Sequence, residues 1–183
     1  VEFMFGTALY NYYSVWVPEK YPIMKPVMLM FPKGNAQEGI NQLKDVAFNS
    51  FYTRVEAQTH LLGIYLDVES LNSVSEKEKQ ANNMFCLSLL KNLIADYPNN
   101  PYFARVYAKC CYNLGRINDM VEISKNIIQK YESKVPFYEE QSVRLASFFL
   151  GYYNQTYTKN SEETIKYFTM SEQVSEKLDA YHM

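Results

Sequence analysis

Ile117, Met120, Val121, Ser124, Ile127, Ile128 and Tyr131 recur at i, i+3, i+4, i+7, i+10, i+11 and i+14 with mostly polar residues between them. That spacing predicts one apolar stripe along a helix of four turns. The preceding segment repeats the pattern with Phe103, Val106, Tyr107, Cys110, Cys111 and Leu114, and Ala104 and Ala108 widen its apolar face. A helix of this kind is buried on more than one side. Only Leu114-Gly115-Arg116 separates the two, so they are expected to lie side by side and antiparallel.

Helix starts are marked by an oxygen-bearing side chain with Glu three residues later, at Asn35/Glu38, Thr53/Glu56, Ser75/Glu78 and Asn160/Glu163. Each pair can satisfy orphan first-turn amides. Asn100-Pro101 gives a cap followed by Pro at the first helical position, and Pro136 is expected to open a helix in the same way. The helices predicted are 1–16, 36–49, 54–69, 76–96, 101–114, 117–131, 137–155 and 161–178. They form four antiparallel pairs whose ends recur near Ser50, Pro98 and Ser133. A helix pair cannot bury both faces by itself, so the expected architecture is an all-α solenoid of stacked pairs, one domain over 1–183. Residues 17–33, where Pro18, Pro22 and Pro26 recur every four positions, form an insertion that proline keeps from being a long regular helix.

Composition agrees with helices. Aromatic residues reach 16%, chiefly 17 Tyr and 11 Phe, while Gly (6) and Pro (7) are scarce. The net charge of -2, from 18 basic and 20 acidic residues spread along the chain, leaves no overall footprint for nucleic acid or an anionic membrane. No run is long enough to span a bilayer, so direct membrane insertion is not expected. Cys86, Cys110 and Cys111 are odd in number with two adjacent, which reads as buried apolar thiols and not as a disulfide framework. The chain opens at Val1 in what looks like a helix entered partway, the expectation for a trimmed fragment or mature form.

The segment Tyr107-Ala108-x-x-Cys111-x-x-x-Gly115-x-Ile117-x-x-Met120 resembles a tetratricopeptide repeat, with Ala108 at the small position of the first helix and Gly115 at the turn. A second copy runs from Leu62-Gly63-x-x-Leu66 into Cys86-x-x-x-Leu90-x-x-Leu93, ended by Pro98 and interrupted by residues 70–80. A third spans Pro136 to Leu178. The first pair, with Gly6-x-x-x-Tyr10-Asn11-Tyr12-Tyr13 and Gly34-Asn35-x-x-x-Gly39-Ile40-x-x-Leu43, is similar to a divergent group of such proteins. That group includes bacterial lipoproteins or periplasmic proteins and a eukaryotic outer-membrane branch. The resemblance implies a right-handed solenoid used in assembly, with Gly63 at a close helix approach. Its narrower part places a bacterial member in the periplasm or on a lipoprotein anchor in preference to the cytoplasm.

Candidate chemistry is sparse. Glu56 and His60 share a helix face, but two groups are too few for a metal site. Glu139-Glu140 and Glu162-Glu163 suit helix first turns. No nucleophile elbow, phosphate loop or zinc-protease motif occurs, and neither enzyme activity nor a cofactor is expected. In the tetratricopeptide family the first helix of each pair lines the concave groove, which for the matched copies implies Arg105, Lys109, Tyr112 and Asn113 with His60 and Asp67. A basic, aromatic groove suits an acidic peptide or partner protein. The full Lys/Asn clamp of the family's chaperone-tail binders is absent. Met28, Met30 and Phe31 mark a second surface, read either as packing or as a partner or lipid contact. A small-ligand reading, for saccharide, rests on stacking rings such as Tyr12, Tyr13, Trp16 and Tyr112.

Overall fold

A computed structural model describes residues 1–66 and 74–180 of the chain. The described residues are all-helical, without strand, and divide into two compact units, 1–74 and 75–183.

In the first unit α1 (Met4–Lys20), the short α2 (Lys25–Met28), α3 (Ala36–Asn49) and α4 (Arg54–Leu66) follow one another, with a 3-10 turn at Pro22–Met24. Helix α3 packs on both α1 and α4. The α1–α3 approach is possible because Gly39 faces Ala8: a Cβ at Gly39 would sit 2.7 Å from both the Ala8 carbonyl oxygen and the Tyr12 nitrogen. Around it Leu43, Val46, Ala47, Ala57, Leu61 and Leu62 are fully buried. Such a core holds a unit of this size by apolar burial. Across the α3–α4 turn, the Glu2 carboxylate accepts from the Ser50 hydroxyl at 2.7 Å and the Phe51 amide at 2.7 Å.

Helix α1 runs four residues beyond the predicted end and carries Pro18 in its last turn. A proline there forfeits only the bond to the Ser14 carbonyl, and Tyr21 N–H donates to the Val17 carbonyl to close the helix. Pro22 then heads the 3-10 turn and Pro26 lies in the first turn of α2, where a missing amide is least costly.

The second unit contains α5 (Glu76–Asp96), α6 (Pro101–Asn113), α7 (Ile117–Glu132), α8 (Glu140–Tyr153) and α9 (Ser161–Ala180). Each packs on the next, and α6 also packs on α8. Caps set the starts as the sequence requires. Ser75 and Glu78 form a reciprocal capping box, Asn100 accepts from the Tyr102 and Phe103 amides, and Asn160 accepts from the Glu163 amide. Thr53 does not cap α4 in the expected way; its hydroxyl is engaged by Ser50 and Glu2.

Gly115 has φ +67 and ends α6 in a Schellman motif, with Arg116 N–H donating to Cys111 O at 2.8 Å and Gly115 N–H to Tyr112 O at 3.1 Å. Helix α7 ends identically, but Lys134 (φ 54) takes the left-handed position, with Val135 N–H donating to Lys130 O at 2.9 Å. Pro136 does not open α8. Phe137 also has positive φ (70), which excludes it from a helix, and α8 starts only at Glu140 after an extended Glu139. Between α8 and α9 the chain makes a π-helical turn, Asn154–Thr158, in which the Asn154 side chain donates to Leu150 O at 2.9 Å.

Gly63 does not provide a close approach: it is exposed, and a Cβ built there meets nothing within 4 Å. In the second unit that role falls to Gly151, whose Cβ would lie 2.6 Å from the Phe168 ring and which lets α8 and α9 close together. Ala108 is buried.

Candidate binding cleft

Asn100 and Pro101 fix where α6 begins, and from that start Arg105 and Lys109, four residues apart, fall on one face. On the neighbouring α8, Gln141, Arg144, Leu145 and Phe148 form the matching row. With Val106, Ser171 and Ser175 these residues line a cleft of about 510 Å³. Three cations face it, and no carboxylate is among its described lining residues. Arg105 lies 5.7 Å from the centre of the Tyr102 ring, a cation–π contact. Burial holds its guanidinium below the ordinary value; Tyr102 opposes that shift, and the like charge of Arg144 adds to it. An arginine remains charged under any such shift. Ser171 donates to the Arg144 carbonyl at 2.9 Å and ties α9 to this wall.

The predicted groove residues therefore divide. Arg105 and Lys109 line the cleft. Tyr112 stacks on Phe149 at 5.0 Å and meets Tyr152 edge-on at 5.3 Å. Asn113 donates across to the buried Asn83 side chain at 2.9 Å, joining α6 to α5. His60 lies in the first unit, half-buried, with Nδ1 3.1 Å from the Tyr13 hydroxyl and its ring against Phe5. Asp67 lies outside the described residues. Arg144 and Phe148 were missed from sequence. Their signal in the sequence was an aromatic one turn after an arginine, Arg144 and Phe148, within the predicted helix 137–155.

The second predicted surface also divides: Met28 is half-buried, whereas Met30 and Phe31 are exposed. The rings weighed for saccharide stacking largely face protein. Tyr12 is buried, Tyr13 packs edge-on against Tyr12 and Trp16, and Trp16 has Lys20 over its face at 4.8 Å.

A larger cleft of about 630 Å³ runs along α5, α6 and α7, but its lysines are balanced by Asp119 and Glu122, and Lys130 is engaged by the Pro98 carbonyl at 2.6 Å. Its mixed polarity selects no ligand class. All three cysteines are free and buried. Burial, with Cys111 adding, pushes the Cys110 thiol up to about 12, and burial pushes Cys111 up to about 11. Thiols held protonated in this way are poor nucleophiles and poor ligands. Among the described residues no three His, Cys, Asp or Glu side chains converge as a metal set. No protein-family model, curated protein or solved structure matches the chain.

Proposed function

We propose that the chain is a non-enzymatic, tetratricopeptide-like solenoid scaffold whose groove binds an acidic stretch of a peptide or partner protein. The observation that carries this reading is the concentration of Arg105, Lys109 and Arg144 on one cleft without a lining carboxylate among the described residues. Val106, Leu145 and Phe148 give the same cleft apolar area, so an extended ligand gains contact burial as well as charge. The repeat architecture is supported by the packing of α6 on both α7 and α8, the neighbour pattern of stacked helix pairs, and by the Schellman turn at Gly115 where the repeat places glycine.

The test is fluorescence anisotropy with a Glu-rich peptide and its Gln counterpart. The acidic peptide binds more tightly, and Arg105→Ala with Arg144→Ala weakens it by about 1 to 3 kcal/mol, the range for charge-assisted contacts. Added salt weakens the parent more than the double variant. Equal affinity for both peptides, or an unchanged double variant, removes the cleft from recognition.

A further inference from the structure

We propose that the Pro- and Met-rich turn between α1 and α3 is an interfacial anchor that seats the first unit on an anionic bilayer surface without crossing it. From Lys20 to Gln37 the chain carries Lys20, Lys25 and Lys33 and not one carboxylate, a local excess that the overall charge of -2 conceals. Between those lysines Ile23, Leu29 and Met30 are 85%, 87% and 84% exposed, and Tyr21, Val27 and Phe31 are about half exposed. Met24 and Met28 are the least exposed side chains of residues 21–33, and none in the 3-10 turn or α2 is buried.

The base of that turn is fastened to α1. The Tyr10 hydroxyl donates to the Pro32 carbonyl, and Gly34 lies so close that a Cβ would fall 2.1 Å from Ser14 Oγ and 2.8 Å from the Asn11 carbonyl oxygen. The apolar tip is thus held outward at little further entropic cost.

Its backbone also suits an apolar medium. The amides of Met24, Leu29, Met30 and Phe31 donate to Tyr21, Lys25, Val27 and Met28 carbonyls. Pro22, Pro26 and Pro32 carry no N–H to satisfy. These paired amides suit an apolar medium, where an unpaired N–H has no water to turn to.

Charge decides the occupant. A tip of apolar side chains framed by cations complements an anionic headgroup layer, where each lysine and each buried side chain adds to binding. Two copies meeting tip to tip would crowd like charges. No helix among the described residues is long and apolar enough to cross a membrane, so the contact is peripheral.

Vesicle co-sedimentation tests this with phosphatidylcholine alone and with added phosphatidylglycerol. The chain partitions onto the mixed vesicles, less onto the neutral ones, and less at high salt. Leu29→Asp with Met30→Asp lowers partitioning by about 100-fold while circular dichroism is unchanged. Lys25→Glu with Lys33→Glu removes the preference for the anionic vesicles. Arg105→Ala with Arg144→Ala leaves partitioning intact, which separates this surface from the cleft. No partitioning onto either vesicle overturns the proposal, as does concentration-dependent self-association that Leu29→Asp with Met30→Asp abolishes in its place.

Discussion

The Tyr13 hydroxyl and His60 Nδ1 lie 3.1 Å apart, joining α1 to α4 across the first unit. In the tautomer protonated at Nε2 the hydroxyl donates and the ring nitrogen accepts. Protonation of the ring removes that acceptor. Burial holds His60 below its ordinary 6.5. The unfolded chain therefore takes up the proton first, and the contribution of neutral His60 is complete above 6.5 and declines as the pH falls below it. Urea midpoints between about pH 7 and 5 should show this decline, and His60→Gln should flatten it. Tyr13→Phe should cost about 0.5 to 1.5 kcal/mol at neutral pH.

The helical glycines are predicted to respond with opposite signs. Gly39→Ala places a Cβ against α1 backbone that cannot yield, and should cost about 1 to 3 kcal/mol. At Gly151 the obstacle is the Phe168 ring, which can turn, so the loss should be smaller. Gly63→Ala meets open space inside a helix and should stabilise by about 0.5 to 1 kcal/mol. Denaturant titration of the three variants distinguishes these cases, and a destabilised Gly63→Ala would contradict the open environment.

Two Schellman ends offer a matched pair of experiments. Gly115→Ala forces a side chain into the left-handed region and should cost about 1 to 2 kcal/mol. Lys134→Gly relieves the same strain and should raise stability by about 0.5 to 1 kcal/mol. Thermal melts read both, with melting temperatures moving in opposite directions.

The buried thiols should not react with a maleimide in the folded chain at neutral pH. Cys110 at about 12 and Cys111 at about 11 expose almost no thiolate, and burial lifts Cys86 further. Urea should release all three together. Rapid labelling of one thiol in native conditions would show an opening of α5 or α6 that the packing does not contain.

Helix boundaries were legible because they are local: Ser75, Asn100 and Asn160 meet their amides within three residues, so sequence spacing alone locates them. What was not legible depends on a partner far along the chain. Gly39 and Gly63 look alike in sequence, yet one faces Ala8 and the other faces space. Tyr112 and Asn113 share a face with Arg105 and Lys109 by helical spacing, but Phe149 and Asn83 claim them. Arg144 joins the cleft only because α8 packs on α6. The left-handed Lys134 had no signal, since glycine and sometimes asparagine mark that position and lysine does not.

Apolar stripes hold helices together without saying which helix belongs beside which, because one leucine face fits another at several offsets. The Asn83–Asn113 pair is different. The Asn83 side chain is buried, and within the helix it donates to the Lys79 carbonyl, which leaves its oxygen to be met from α6. A foreign hairpin grafted in place of α6 and α7, however well its apolar face fitted, would strand that oxygen. The α5–α6 junction thus carries a lock that admits one neighbour at one offset, so hairpins in this chain are not interchangeable parts.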